Sequence, residues 1–160
     1  MKAKLVTVIV VVLLIFCFGL HSTGSTTVGG SLEKDFTDDK IWYGGYLRTG
    51  GLFKLELGGS QVYGNSSGEV KLFSYFLVDL NLGSVGINTG SMNLYFGASP
   101  NMTLDTATPS FSISDTSAYG KMGLQLNLFP FSIQLQSKGL FDLSGNLNNL
   151  LTGVGLGLTF

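Results

Sequence analysis

Large apolar residues alternate with small or polar residues along most of the chain after position 40. The clearest example is residues 152–160 (TGVGLGLTF), where every second residue from Val154 to Phe160 is large and apolar. Side chains of a strand point alternately to opposite faces, so one face of this segment is wholly apolar. An open apolar edge promotes aggregation in water, whereas a strand that closes a barrel in lipid needs such an outer face. We therefore interpret 152–160 as the closing strand of a small membrane β-barrel.

The same alternation recurs in six earlier segments, and no stretch has the 3.6-residue period of an amphipathic helix. The segments are 41–48, 52–58, 69–82, 91–98, 119–128 and 132–138. The pattern predicts an all-β, antiparallel, up-and-down transmembrane β-barrel with seven clear strands. Because bacterial barrels have an even number of strands, we expect about eight. The extra strand would arise if residues 69–88 were divided near 79–83.

Turn-forming residues separate the predicted strands. Short turns are expected at 49–51, 65–68, 88–90 and 129–131. The polar stretches 99–117 and 139–151 are predicted to be long loops. Counted back from the C-terminus, long and short connections alternate, as they do in outer-membrane barrels with long external loops. Any surface ligand is therefore expected to bind through loops 99–117 and 139–151.

The N-terminal region has the design of an export signal. Lys2 and Lys4 precede an apolar run over 5–20, and Ser22 and Gly24 are small residues suited to cleavage after Gly24. We predict a signal peptide over 1–24, with a retained N-terminal anchor as the alternative. Residues 25–40 are predicted to be an N-terminal tail, and residues 41–160 the barrel domain.

Composition agrees with a lipid-facing exterior but is shared with secreted glycine-rich β-proteins. Charged residues make up 12% of the chain, against roughly 25% in ordinary soluble domains, and there are 23 glycines. The formal net charge of −1 gives no indication of nucleic-acid binding. Composition therefore leaves open an exported soluble β-sandwich or surface fibre protein.

Catalytic, cofactor and metal sites are not predicted. The single cysteine, Cys17, and the single histidine, His21, both lie in the predicted signal peptide. A mature chain without them has no thiol chemistry and no histidine base or ligand. A barrel enzyme would have to use a carboxylate such as Asp115 or Asp142, with no suitable partner nearby. The acidic residues within 35–39 do not have the spacing of a calcium loop.

Several of the polar faces carry charged residues. In a sandwich these faces would meet water, but a barrel in lipid must turn them into its lumen. We predict that they form ion pairs and hydrogen bonds that fill the narrow lumen. The predicted lumen charges are Arg48, Lys54, Glu56, Lys71, Asp79, Lys121 and Lys138.

Aromatic residues are also frequent, and two interpretations are open for them. They could form a sugar-binding platform, but girdles at the two membrane interfaces are the simpler prediction. The residues concerned are Trp42, Tyr43, Tyr46, Tyr95, Phe129 and Phe131.

Residues 41–160 resemble the small outer-membrane β-barrel proteins of bacteria, the OmpA-like and opacity-like eight-stranded group. The most specific likeness is at the end, where Gly155, Leu158 and Phe160 match the terminal assembly signal of such barrels; Gly153 stands where the family prefers a polar residue. The resemblance implies export to the bacterial outer membrane, contact with its lipid, and recognition by the barrel-assembly machinery.

These observations favour a non-enzymatic barrel with a structural or surface-interaction role and a largely plugged lumen. A small pore for small solutes is the first alternative, and the soluble sandwich or surface fibre is the second. No cofactor is expected.

Overall fold

The computed structural model describes residues 24–64, 69–85 and 90–160. The predicted signal peptide lies outside the described residues except for Gly24, as do the predicted turn at 65–68 and most of that at 88–90. Within the described ranges there is no helix long and apolar enough to cross a membrane. The strands are β1 (Ser25–Asp35), β2 (Ile41–Gly50), β3 (Phe53–Val62), β4 (Glu69–Val85), β5 (Gly90–Asp105), β6 (Ser110–Leu128), β7 (Phe131–Asp142) and β8 (Leu147–Thr159).

The eight strands form a closed antiparallel barrel with up-and-down order. Each strand pairs with the next along the chain, and β8 pairs with β1, with Thr27 opposite Thr159 at one end and Asp35 opposite Leu151 at the other. The predicted fold class is confirmed. Every strand has two neighbours, so the ring has no free sheet edge, and the two-sheet sandwich considered as an alternative is wrong.

The strand missing from the sequence prediction is β1. Residues 25–40 were predicted to be a tail, but Ser25–Asp35 is a barrel strand. Its alternation is weakened by Gly29, Gly30 and Ser31, although Val28 and Leu32 face outward and are half exposed. Its acidic residues face inward, where neighbouring strands supply partners that a local pattern does not reveal.

The predicted division of residues 69–88 is also wrong. The described part of that range is the single strand β4, which continues to Val85. Gly83 follows a register shift at Asn81 and has a φ of 131°, a backbone conformation that favours glycine. The turn-like sequence at 79–83 therefore bends the strand without ending it.

The two predicted long loops are largely strand. Strand β5 runs to Asp105 and β6 starts at Ser110, so only 106–109 connects them within 99–117. Likewise only 143–146 connects β7 and β8 within 139–151. Residues 110–116 are exposed on both faces except for Ser114, which is half-buried. Phe111 and Ile113 alternate with serines there, but both faces of this extension are exposed, so pairing with β5 and not burial holds it as a strand.

The two faces of the barrel wall have opposite chemistry. Outward side chains are large and apolar, as in β8, where Val154, Leu156 and Leu158 are 47%, 65% and 43% exposed. The side chains that point into the lumen are mostly charged, polar or aromatic, with Leu77 as a buried aliphatic residue among them. The buried apolar cluster consists of Tyr46, Phe73, Tyr75, Leu77 and Tyr95. An apolar exterior around a polar interior is the arrangement required in lipid.

Candidate functional site

The centre of the lumen is organised around the Glu56 carboxylate of β3. Arg48 on β2 is directly opposite Glu56 in the strand register, and its Nε donates to Glu56 Oε2 at 2.8 Å while its Nη2 donates to the same oxygen. Lys121 on β6 reaches the other oxygen, Oε1, at 2.5 Å. The three side chains are at most 1% exposed. One carboxylate thus pairs with two buried cations. We call Arg48, Glu56 and Lys121 the central cluster.

Two glutamines complete the hydrogen bonding of Arg48. Its Nη1 donates to Gln125 Oε1 at 2.5 Å, and its Nη2 donates to Gln134 Oε1 at 2.9 Å. The amide of Gln134 donates to the Tyr46 hydroxyl at 2.6 Å, and the Tyr95 hydroxyl donates to Gln134 Oε1 at 3.2 Å. The network therefore joins β2, β3, β5, β6 and β7 across the lumen. Buried charges are tolerated only when they are paired and hydrogen-bonded in this way.

The single Glu56 carboxylate balances only one of the two positive charges. Aromatic rings stabilise the remaining positive charge. The Arg48 guanidinium carbon lies 4.2 Å from the centroid of the Tyr95 ring. The Lys121 ammonium lies 5.3 Å from the Tyr75 ring and 5.6 Å from the Tyr95 ring. Such contacts are favourable in sites removed from water.

The large lumenal rings fit against glycines of neighbouring strands. A Cβ at Gly123 would lie 2.5 Å from the Tyr95 hydroxyl oxygen, and one at Gly58 would lie 2.6 Å from Phe73 Cζ. A Cβ at Gly29 would overlap the Tyr46 hydroxyl. Glycine is required at these positions because the rings occupy the space of a side chain. The barrel is consequently filled at its centre.

An ion pair lies toward each end of the lumen. Toward the end with the turns 36–40 and 143–146, Lys138 Nζ lies 2.6 Å from Glu33 Oε1 and 4.6 Å from the Phe73 ring centroid. Toward the opposite end Lys54 pairs with Asp79, whose Oδ1 also accepts from Asn93 Nδ2 at 2.9 Å. We call these the outer and inner ends, following the orientation expected from the sequence.

Six of the seven predicted lumen charges are buried in the lumen. The exception is Lys71, which lies near the outer end with 27% side-chain exposure and pairs with Glu69 at 2.6 Å. The six are Arg48, Lys54, Glu56, Asp79, Lys121 and Lys138. Glu33 was missed because it lies in the predicted tail. The outward pattern of Val28 and Leu32 was the signal that could have placed it.

The aromatic girdle prediction is wrong for three residues. Tyr46 and Tyr95 are only 5% and 0% exposed and belong to the lumen. Trp42, on the same strand parity as Tyr46, lines a cavity inside the outer end. The remaining girdle residues lie on the exterior, and they are Tyr43, Phe129 and Phe131.

Open space in the lumen lies on the two sides of the central cluster. At the inner end a vestibule of about 370 Å³ is lined by Lys54, Asp79 and Asn93. At the outer end a cavity of about 20 Å³ is lined by Glu33, Trp42, Lys138 and Asn149, among others. In the described ranges no three His, Cys, Asp or Glu residues come together as a metal site.

The predicted assembly residues lie along β8 and just beyond it. Gly155 faces inward, while Leu158 and Phe160 face outward and are 43% and 73% exposed. The Phe160 N–H donates to the Thr26 carbonyl oxygen at 2.8 Å. Recognition of these residues by assembly machinery stays a prediction.

Comparison with solved structures supports this fold. A designed protein described as a de novo transmembrane β-barrel matches with a TM-score of 0.55 and 12% identity, covering 84% of this chain and 96% of its own. The N-terminal β-barrel domain of Pseudomonas aeruginosa OprF matches with a TM-score of 0.54 and 14% identity, covering 86% of this chain and all of that domain. The fold is that of a transmembrane β-barrel. No protein-family profile and no curated protein sequence matches the chain.

Proposed function

We propose that the protein is a non-enzymatic barrel of the bacterial outer membrane with a structural or surface-interaction role and a plugged lumen. Export through the predicted signal peptide, contact with outer-membrane lipid and insertion by the barrel-assembly machinery belong to the same proposal. The apolar exterior around a charged interior supports residence in a membrane. Any surface ligand would meet the outer turns and the paired extensions within 99–117 and 139–151.

The observation that carries the proposal is the central cluster. Glu56, Arg48 and Lys121 bridge opposite walls, and the rings of Tyr46, Tyr75 and Tyr95 occupy the space around them. An eight-stranded barrel has an interior just wide enough for side chains to fill. A hydrated solute could pass only if these ion pairs separated while still buried, which costs several kcal/mol.

A non-enzymatic role is supported by the residues available. Residues 25–160 contain neither histidine nor cysteine. The fully buried carboxylate of Glu56 is held by two cations, and its hydrogen bonds among the described residues come from Arg48 and Lys121. The lumen residues therefore pack together and balance one another's charges, and we infer that they do not act as a nucleophile and its base.

The competing function is a small conduit, and the inner vestibule of about 370 Å³ is the observation that favours it. Planar-bilayer recording of the refolded protein separates the two. We expect little or no steady conductance. Stable openings of general-porin size would refute the plugged lumen.

A matched pair of variants on β4 makes the recording sharper. Tyr75 is 1% exposed and faces the central cluster, whereas its neighbour Phe76 is 56% exposed on the exterior. We expect Tyr75→Ala to increase brief openings and Phe76→Ala to leave the recording unchanged. Membrane residence is checked separately, because a protein removed from membranes by carbonate washing would contradict it.

A further inference from the structure

Three residues that line the small cavity at the outer end of the lumen each have a buried polar atom without a hydrogen-bond partner among the described residues. The atoms are Glu33 Oε2, Trp42 Nε1 and Asn149 Oδ1, which come from β1, β2 and β8. Buried polar atoms are nearly always paired, either with protein or with ordered water. Three such atoms around one cavity indicate a ligand site. We propose that this cavity binds one water molecule that joins the three strands.

The remaining polar atoms of these side chains are already engaged, so the three free atoms define the ligand. Glu33 is 2% exposed, and its Oε1 accepts from Lys138 and Gln136, leaving Oε2. Asn149 Nδ2 donates to Asp35 Oδ2 at 2.9 Å, leaving Oδ1. The Trp42 indole is close enough to the Asp35 carboxylate for the two to interact, but outside hydrogen-bond geometry. The site therefore offers two acceptors and one donor.

Water has the matching chemistry. It can donate one hydrogen bond to Glu33 Oε2 and one to Asn149 Oδ1 while accepting from the Trp42 N–H. An alkali cation or an ammonium ion has no lone pair with which to accept from the indole. A water molecule needs about 10–15 Å³ of cavity, so a cavity of about 20 Å³ holds one and excludes a sugar or other larger solute.

The location gives the water a structural role at the closing seam. Glu33 is paired with Trp42 across β1 and β2, and with Gly153 across β1 and β8. Asn149 lies farther along β8, beyond the last residue paired with β1. The bridge would therefore connect Glu33 and Trp42, within the paired part of the seam, to Asn149 just beyond the last β8 residue paired with β1.

A crystal structure of the membrane-extracted protein grown in rubidium chloride tests the ligand directly. We expect a density peak within hydrogen-bond distance of Glu33 Oε2, Trp42 Nε1 and Asn149 Oδ1, without anomalous scattering from rubidium. An anomalous peak at that position would assign a cation site, and an absence of density would remove the ligand. Either result overturns the proposal.

Solution NMR gives a second test that does not depend on a crystal. Trp42 is the only tryptophan, so its indole N–H yields a single resonance. We expect cross-relaxation from water to the indole proton, with the sign that a bound water of long residence time gives. This signal should be retained in Tyr43→Phe and lost in Asn149→Leu. Tyr43 is the control because it follows Trp42 on the strand and faces outward. A wild-type signal of fast-exchanging water would overturn the proposal even if a variant failed to fold.

Discussion

The centre of the lumen and its outer end use the same groups but complete them differently. Each contains a glutamate paired with a lysine beside aromatic rings, Glu56 with Lys121 at the centre and Glu33 with Lys138 at the outer end. At the centre Glu56, Arg48 and Lys121 have no unpartnered buried atom in the described structure, because strands on all sides supply donors and acceptors. At the outer end Glu33 Oε2 has no hydrogen-bond partner within residues 24–64, 69–85 and 90–160.

The difference follows from depth in the barrel. A carboxylate at the centre is surrounded by wall, so the protein itself must satisfy every polar atom. The carboxylate of Glu33, nearer the opening, lines a small cavity, and water bound there can complete what the wall leaves unpaired. The central cluster should therefore contribute most to stability and depend least on solvent.

Removing the central charge is expected to have the largest effect. Glu56→Gln leaves Arg48 and Lys121 buried without a carboxylate, and breaking a buried ion pair costs about 3–5 kcal/mol. We expect that loss in the free energy of unfolding in denaturant, followed by Trp42 fluorescence. Lys121→Met is the control, because it preserves the neutral Arg48–Glu56 pair and should cost clearly less. Equal losses for the two variants would contradict the sharing of one carboxylate.

Replacing a central glycine that packs against a lumenal aromatic ring is expected to have the next largest effect. An alanine Cβ at Gly29 would overlap the Tyr46 hydroxyl and the Leu156 carbonyl oxygen. Overpacking of this kind costs about 1–3 kcal/mol. Gly30→Ala is a matched control, since the nearest atom to its Cβ would be the Gly44 carbonyl oxygen at 3.4 Å on the outer surface. The same denaturation assay should show no large loss for that variant.

Neutralising the glutamate of the outer end should cost less than neutralising Glu56. In Glu33→Gln the ammonium of Lys138 keeps its contact with the Phe73 ring, and the Lys138 side chain is 5% exposed against 1% for Lys121. We expect a loss between the ~1 kcal/mol of an exposed ion pair and the ~3–5 kcal/mol of a buried one. A loss as large as that of Glu56→Gln would show that the depth of the glutamate in the barrel does not determine its contribution to stability.

The smallest effect is expected at the outer turn between β7 and β8. The Asn146 side-chain amide and backbone N–H, with the Ser144 N–H, hold the pKa of the Asp142 carboxyl below its ordinary value of 3.8. The ionised carboxylate thus contributes fully above about pH 3.8, and its contribution is lost as the pH falls through the lowered pKa. We expect Asp142→Ala to lower the midpoint of thermal unfolding slightly at pH 7 but not at strongly acidic pH.

Asp115→Ala provides the control for that turn, because Asp115 is exposed on the β6 extension. It should leave the thermal midpoint unchanged at both pH values. An Asp142→Ala effect that persisted unchanged in strong acid would show that the carboxylate charge is not what holds the turn.

The sequence predicted which charged residues face the lumen, but not which residue pairs with which. Alternation placed Arg48, Lys54, Glu56 and Lys121 on inward faces, because that assignment needs only the two-residue period of one strand. Which cation meets which carboxylate depends on the register between strands, as for Lys121 and Glu56, which are 65 residues apart. Tyr46 was assigned to the membrane interface since an isolated aromatic residue does not reveal whether a glycine faces it.

The sequence alone determined that the chain is an all-β barrel with an apolar outside and a charged inside, since strand direction and side-chain parity are local properties. Only the tertiary structure decided that Ser25–Asp35 supplies the eighth strand, that β4 is undivided, and that the predicted loops are paired extensions. These features lack a clean alternation, because glycines interrupt β1 and the β6 extension is exposed on both faces. Their strand structure comes from backbone hydrogen bonds to neighbouring strands. Which strands are neighbours is decided by the tertiary structure of the closed barrel.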